Sequence, residues 1–430
     1  FTAINNSGLP FLDELLPLAN WCPTIRNALL ALAGLLRVQI RQEMSLCYED
    51  QRLPESTAAL ERYQVALSTL RERILALQSN NACENDALEV LGSALLLTVA
   101  GFPRTMRPED THEWSHHMHG MISLVESLDS SITTHSSIGR LVKESVARLD
   151  IGAFALGRTQ KGHNAWLRWE IHPPETPPSP DFCALEVIMG YPKSLLTIIA
   201  AISTILEEPD DDTLSFVIDL VSRLHRQSHP VQHTTTATLH PEPALAINGI
   251  PDATLSQIES SLILWKPPKI PGRLASHMAV ALTGAWEVMR KAALVYFWRG
   301  GFRGNVLAPL PPHRRDVSEH YMREIMFGLY TLLNLYKTHS ITMINIMTWP
   351  LIVVGNECGG STQLQNEVES MLRKLQQRFQ IEHLKHLSPM LKELWRRFGE
   401  HGNAAEDPGH VNSLSLNSLS KELGVCLPLF

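Results

Sequence analysis

From Ile25 onward, apolar side chains recur at Leu29, Leu32, Ala33 and Leu36 while Arg26 and Asn27 fall off the stripe, a one-sided pattern at helical spacing. The pattern returns at Leu364, Val368, Met371, Leu372, Leu375 and Phe379, with Gln, Glu, Arg and Lys between them. Further windows of this period cover approximately 55–79, 84–101, 110–128, 134–156, 192–207, 211–226, 252–264, 273–299, 316–338, 341–355 and 384–399. Alternation at period two is nearly absent. The chain therefore reads as all-α, an irregular multi-helix bundle or array of about twelve to fifteen helices.

Start signals support these windows. Pro54 precedes Glu55-Ser56, Pro108 precedes Glu109-Asp110, and Ser388-Pro389 is expected to open the run ending near Trp395. Trp349-Pro350 is expected to interrupt an otherwise apolar helix. Asp316 ahead of Val317-Ser318-Glu319 is a capping-box candidate. Four stretches read as long loops: 157–181 with five prolines, the His/Thr/Pro-rich 227–251, 300–315 with Gly300, Gly301 and Gly304, and 401–412. None marks a domain boundary and no fixed-length repeat is seen, so residues 1–430 read as one helical domain followed to its end by an amphipathic tail. The longest apolar run, Val90 to Phe102, contains two glycines and is shorter than the ~20 residues a bilayer demands. It reads as a buried helix, and no membrane partner is expected.

Composition narrows the function classes. With 44% hydrophobic residues in 430, the chain can bury a sizeable core. Its 37 Lys+Arg against 44 Asp+Glu leave a net charge of -7, without the basic stripe expected of a domain that grips phosphates unaided. Cys22, Cys47, Cys83, Cys183, Cys358 and Cys426 stand singly with no Cys-x-x-Cys pair, which excludes a zinc ribbon and favours reduced thiols packed among helices. The N-terminus carries no signal-peptide pattern. Opening on Phe1, the chain reads as a piece of a longer protein.

Candidate chemistry is sparse. His112, His116 and His119 could share a helix face, but Glu113 does not sit between two histidines as zinc-protease geometry requires. Asp210-Asp211-Asp212 follows Pro209, and Leu214 stands where a magnesium-binding helix would need another ligand, so these acids read as helix-start residues. Gly300-Gly301-Phe302-Arg303-Gly304 follows a helix instead of a strand, and Gly355…Gly359-Gly360 lacks a following Lys-Ser/Thr. No catalytic, metal or cofactor-binding residue is assigned. Trp286, Arg290, Leu294 and Phe297 share one helical face beside Tyr296 and Trp298; of these, Trp286, Arg290 and Trp298 are candidates for an effector or partner contact, with core packing as the alternative.

Several stretches together resemble a known family. They are Leu15-Leu16-Pro17-Leu18-Ala19, Ile25 to Ala33, Tyr63-Gln-Val-Ala66-Leu67, the apolar Ala87 to Ala100, Trp114-x-x-His117-Met-x-Gly120, and Gly190-Tyr191-Pro192 opening a helix. Most specific are Thr348-Trp349-Pro350 through Gly355-Asn356-Glu357-Cys358 and Leu391-x-x-Leu394-Trp395-Arg396. In this order they are similar to the fungal-specific transcription factor domain, the helical regulatory region of fungal zinc-cluster transcription factors. Asn356 stands where the family usually has Cys, with Cys358 two places later.

The resemblance implies a nuclear regulator of RNA polymerase II transcription. It also implies that DNA is contacted only through an N-terminal module in which six cysteines hold two zinc ions, which these residues lack. Co-regulators, a small-molecule effector and a homodimer are the partners it suggests. Trp114, His117, Gly120, Gly190, Pro192, Trp349, Pro350, Gly355 and Trp395 are its structural motif residues. Two alternatives stay open: a scaffold subunit of a DNA-bound, kinetochore-like assembly using the same helical domain, and an all-α metal-dependent enzyme.

Overall fold

Apolar stripes become buried helix faces. Leu364, Val368, Met371, Leu372 and Leu375 are all buried along one helix, Thr362–Phe379, whose other face carries its Gln, Glu and Arg side chains. The architecture comes from a computed structural model that describes residues 10–44, 54–77, 84–101, 113–128, 133, 136–158, 161–171, 190–207, 209–228, 250–270, 274–302, 312–339, 341, 343–379, 383–401 and 415–429. Among them are 16 α-helices and one two-stranded ladder. The protein is all-α.

The first group of helices is α1 (Pro10–Trp21), α2 (Pro23–Met44), α3 (Pro54–Leu77) and α4 (Glu84–Gly101). α2 packs on α1, α3 and α4. The apolar run noted in the sequence forms α4, where Val90 to Leu97 are buried all round the helix, with Ser93 among them. Such a helix must be covered on every side, and α5 (Glu113–Ser127) and α6 (Ser137–Asp150) add to that cover. No helix among the described residues is long and apolar enough to cross a membrane.

After α6 the chain makes a 3-10 turn (Gly152–Phe154), a two-residue strand β1 (Ala155–Leu156) and a short helix α7 (Ala165–Arg168). The second group then follows: α8 (Lys193–Leu206), α9 (Asp211–Ser228), α10 (Asp252–Ile263), α11 (Ser276–Trp298), α12 (Pro312–His339), α13 (Ile344–Glu357), α14 (Thr362–Phe379) and α15 (Leu384–His401). The chain closes with α16 (Leu416–Glu422) and β2 (Leu427–Pro428), which pairs antiparallel with β1. α11 lies against α10, α12 and α13, and α13 lies against α14 and α15.

Four expectations are corrected. The window 134–156 is not one helix: Ile151 leaves helical geometry at φ -60, ψ 117, and α6 stops at Asp150. Asp316 is not a cap, because α12 begins at Pro312 and carries Asp316 in its interior, exposed. Pro350 does not interrupt α13, and Pro389 does not open α15, which starts at Leu384. A proline inside a helix costs about 3 kcal/mol. In both helices the flanking side chains Trp349, Leu351, Met390 and Leu391 are buried, so tertiary packing offsets that cost. Residues 172–181 of the first long loop, which otherwise holds the short helix α7, and most of the other three loops lie outside the described residues, as do Cys47, Cys83, Cys183, His112 and Pro108.

Glycines distinguish the two faces of the α11–α12 pair. A Cβ at Gly284 would meet nothing within 4 Å, whereas one at Gly328 would run into Val288 Cγ2. Gly284→Ala is expected to stabilise by about 0.5–1 kcal/mol through helix propensity. Gly328→Ala is expected to destabilise by about 1 kcal/mol or more, because the collision with a β-branched neighbour outweighs the propensity gain. Thermal unfolding followed by circular dichroism should shift in opposite directions for the two variants; shifts of one sign would contradict the packing.

Candidate functional site

All the motif residues but Gly120 sit at three junctions where segments far apart in sequence meet. At the first, Gly190 has φ +73, a conformation that favours glycine. Its carbonyl accepts the Trp286 Nε1–H of α11 at 2.8 Å. Pro192 is the extended residue at the start of α8, and its carbonyl accepts the N–H groups of Leu195 and Leu196. Tyr191 between them donates to the Asn345 carbonyl, and the Arg148 guanidinium stands 4.7 Å over its ring. Burial pushes the Tyr191 phenol up to about 12, against the pull of Arg148. Nearby, Lys193 Nζ donates to Glu144 Oε1 at 2.5 Å, with both side chains largely buried.

The second junction is the Trp-Pro helix, α13. Trp349 is 1% exposed, with its ring against Phe154 at 5.3 Å and Tyr296 at 5.7 Å. Its Nε1–H has no hydrogen-bond partner among the described residues. One turn on, the Gly355 carbonyl accepts Trp395 Nε1–H of α15 at 2.8 Å. A Cβ there would approach Leu391 to 2.9 Å, so a small residue is needed for α13 and α15 to come together. Asn356 donates to Glu357 Oε1 at 2.6 Å, and its Oδ1 accepts the Leu416 N–H of α16 at 3.4 Å. Glu357 lies 3.3 Å from Arg299 Nε. Burial pushes its carboxyl up to about 7, against the opposing pull of Arg299 and Asn356. The buried Cys358 thiol is pushed up to about 12 by the same cause.

The third junction surrounds Trp114 of α5. Its indole is fully buried and donates to the Cys426 carbonyl at 3.0 Å. The Arg158 guanidinium lies 5.5 Å from the Trp114 ring and donates to the Asp150 carbonyl at 2.8 Å. The Asp150 carboxylate accepts the N–H groups of His163 at 3.0 Å and Ala165 at 2.8 Å, which holds the turn into α7. His117 Nε2 meets the Tyr63 hydroxyl at 3.1 Å, joining α5 to α3. Gly120 is exposed, with open space around it.

The remaining candidates are held by partners on their own helices or on other segments. Trp286 and Trp298 are buried; Trp298 Nε1–H donates to Glu259 at 2.7 Å and its ring stacks on Tyr321 at 5.8 Å. Arg290 bridges Glu287 at 2.6 and 2.8 Å and donates to the Leu262 carbonyl at 3.1 Å. The three are thus engaged in packing α10, α11 and α12. His116 is exposed, and His119 sits 2.5 Å from the Ser115 carbonyl and 4.9 Å from the His163 ring. Asp210 accepts the Thr213 N–H at 2.8 Å, and hydrogen bonds from the Thr213 side chain and backbone hold its carboxyl below the usual range. Among the described residues, no group of three or more His, Cys, Asp or Glu is placed to hold a metal ion. The cysteines among the described residues, Cys22, Cys358 and Cys426, are free thiols.

Sequence reasoning missed Arg148, Asp150, Arg158, Arg299 and Asn345. Each is an ordinary polar residue inside or beside a helix, and only the fold shows that it faces a partner from another segment.

A family model described as the fungal specific transcription factor domain matches residues 1–406. The chain belongs to this family. The match covers all three sets of motif residues, and the family places the chain among transcription regulators. No curated protein and no solved structure matched in the same comparisons.

Glu357 gives the junctions a pH signature. Its folded value near 7 lies above the ordinary carboxyl value of 4.5, so the folded state holds the proton more tightly. This favours folding at low pH and is lost as pH rises through about 7. Glu357→Gln keeps the shape and removes the titration. The stability difference, variant minus wild type, should move in the variant's favour between pH 5 and 8, read by urea unfolding across that interval. A flat difference would contradict the buried carboxyl.

Proposed function

We propose that this chain is the regulatory body of a fungal transcription factor: it receives an effector or co-regulator signal and passes it to the transcription machinery of RNA polymerase II. Grip on DNA belongs to a zinc-cluster module outside these residues. The observation that carries the reading is the family match across residues 1–406. The buried junctions support it. Each ties a short loop or helix end to a distant helix by a few directed hydrogen bonds, so a shift at one segment is felt by the segment bonded to it. A ligand that prefers one arrangement can then move the population. The net charge of -7 supports delegation of phosphate contact to another module.

Residues 1–430 fused to an unrelated DNA-binding module, at a reporter promoter in a fungal cell, test the proposal. Transcription should differ at least several-fold from that module alone. Trp395→Phe, which removes the hydrogen bond to Gly355, should alter this output while the fusion stays folded and abundant. No change in reporter output, or tight, salt-sensitive duplex binding by the purified chain alone, would contradict the proposal.

A further inference from the structure

The C-terminal segment is attached to the body as a peptide is attached to a binding site. Residues 415–429 are a self-contained unit. Ser415 Oγ accepts the Ser418 N–H at 3.0 Å and starts α16. Gly424, at φ +65, turns the chain, and Ser420 and Val425 bond reciprocally, Oγ to O at 2.6 Å and O to N at 2.9 Å. An extended run follows, in which Val425, Cys426, Leu427 and Leu429 are 5% exposed or less.

The bed for that run is built from three distant places. The 3-10 turn and β1 supply Phe154, whose carbonyl accepts the Leu429 N–H at 2.9 Å, and the pairs Ala155↔Pro428 and Leu156↔Leu427. α5 supplies the Trp114 indole, bonded to the Cys426 carbonyl. The Gly157 N–H donates to Asn417 Oδ1 at 2.9 Å, and the Phe302 carbonyl accepts the Asn417 N–H at 3.2 Å. Along the extended run the body addresses the backbone, which any extended chain carries. Selectivity is left to the apolar surface that receives Val425, Leu427 and Leu429. This is the pattern of strand addition.

The attachment is also releasable. The ladder is two residues long, and Pro428 has no N–H to give it. The Arg397–Glu422 ion pair that helps moor α16, at 2.8 Å, is solvent-exposed and weakened by water and salt. The bed residues Trp114, Phe154 to Gly157, Phe302 and Asn356 lie within the family match, and the segment that fills the bed lies beyond residue 406.

We propose that residues 415–429 are a clasp that opens separately from the helical body, and that the groove beneath it takes in its place an extended aliphatic peptide from another protein. The proposal goes beyond the regulatory reading, and its readout does not depend on that reading.

Two buried thiols serve as internal clocks. Cys426 lies in the clasp and Cys358 at the end of α13; burial raises both, to about 11 and about 12, so neither reacts while covered. The wild-type chain is alkylated under native conditions, and labelling at each cysteine is followed by peptide mass spectrometry. Cys426 should label about tenfold or more faster than Cys358, as separate opening requires. A synthetic peptide of residues 415–430 carrying Cys426→Ser, added at about millimolar concentration to compete with the tethered segment, should accelerate Cys426 labelling several-fold; a scrambled peptide should not. Equal rates at the two cysteines would overturn the clasp, and no acceleration by the peptide would overturn the groove. A concentration-dependent dimer made by exchanging this segment between copies would overturn the assignment to a separate partner.

Discussion

An indole N–H removed from water without a partner costs about 1–3 kcal/mol, and this chain buries most of its nine tryptophans wholly or in part. Six of them donate to a group well removed in sequence: Trp114 to Cys426, Trp166 to Thr197, Trp265 to Ser194, Trp286 to Gly190, Trp298 to Glu259 and Trp395 to Gly355. Each bond nets only about 1 kcal/mol. Its greater effect is directional, because each of these six rings is held in the one orientation that also satisfies its single donor; Trp349, buried without such a bond, is fixed by the rings of Phe154 and Tyr296. The packing of α11 on the Gly190 turn, of α15 on α13 and of the C-terminal segment on α5 all carry this restriction.

The same constraint accounts for the pairing of tryptophan with glycine at two places in the motif. Gly190 and Gly355 are the acceptors of two of these bonds, one in a backbone conformation open to glycine and the other at a helix crossing with no room for a Cβ. Pro192 fixes the chain at the entry to α8. These residues define which segments touch. A regulator has use for such an arrangement, since a small set of discrete contacts can exist in two alternatives where a uniformly oily core would merely deform.

The helices were legible in the chain because burial of one face leaves a record every three to four residues, as at Leu364 to Leu375. The boundaries at Pro312, Pro350 and Pro389 were less so. Proline signals a break by local rules, and only packing of neighbours such as Trp349 and Leu391 decides whether the helix continues. The motif tryptophans could be picked out by sequence, but not the carbonyls they reach. Trp114 and Cys426 are 312 positions apart, and nothing in either neighbourhood points to the other. Val425 to Leu429, buried together without helical spacing, read as part of an amphipathic tail until β1 was seen to pair with them.

The claim at the centre of this account is that buried indole donors bind distant segments into one body. Hydrogen exchange of the indole N–H protons, resolved by NMR with labelled tryptophan, tests it most directly. Trp21, 83% exposed, provides the unprotected reference. The account predicts strong protection for Trp286 and Trp395, and protection for Trp114 that is lower but still well above the Trp21 level. Exchange of Trp286 and Trp395 at the rate of Trp21 in the folded protein would contradict it.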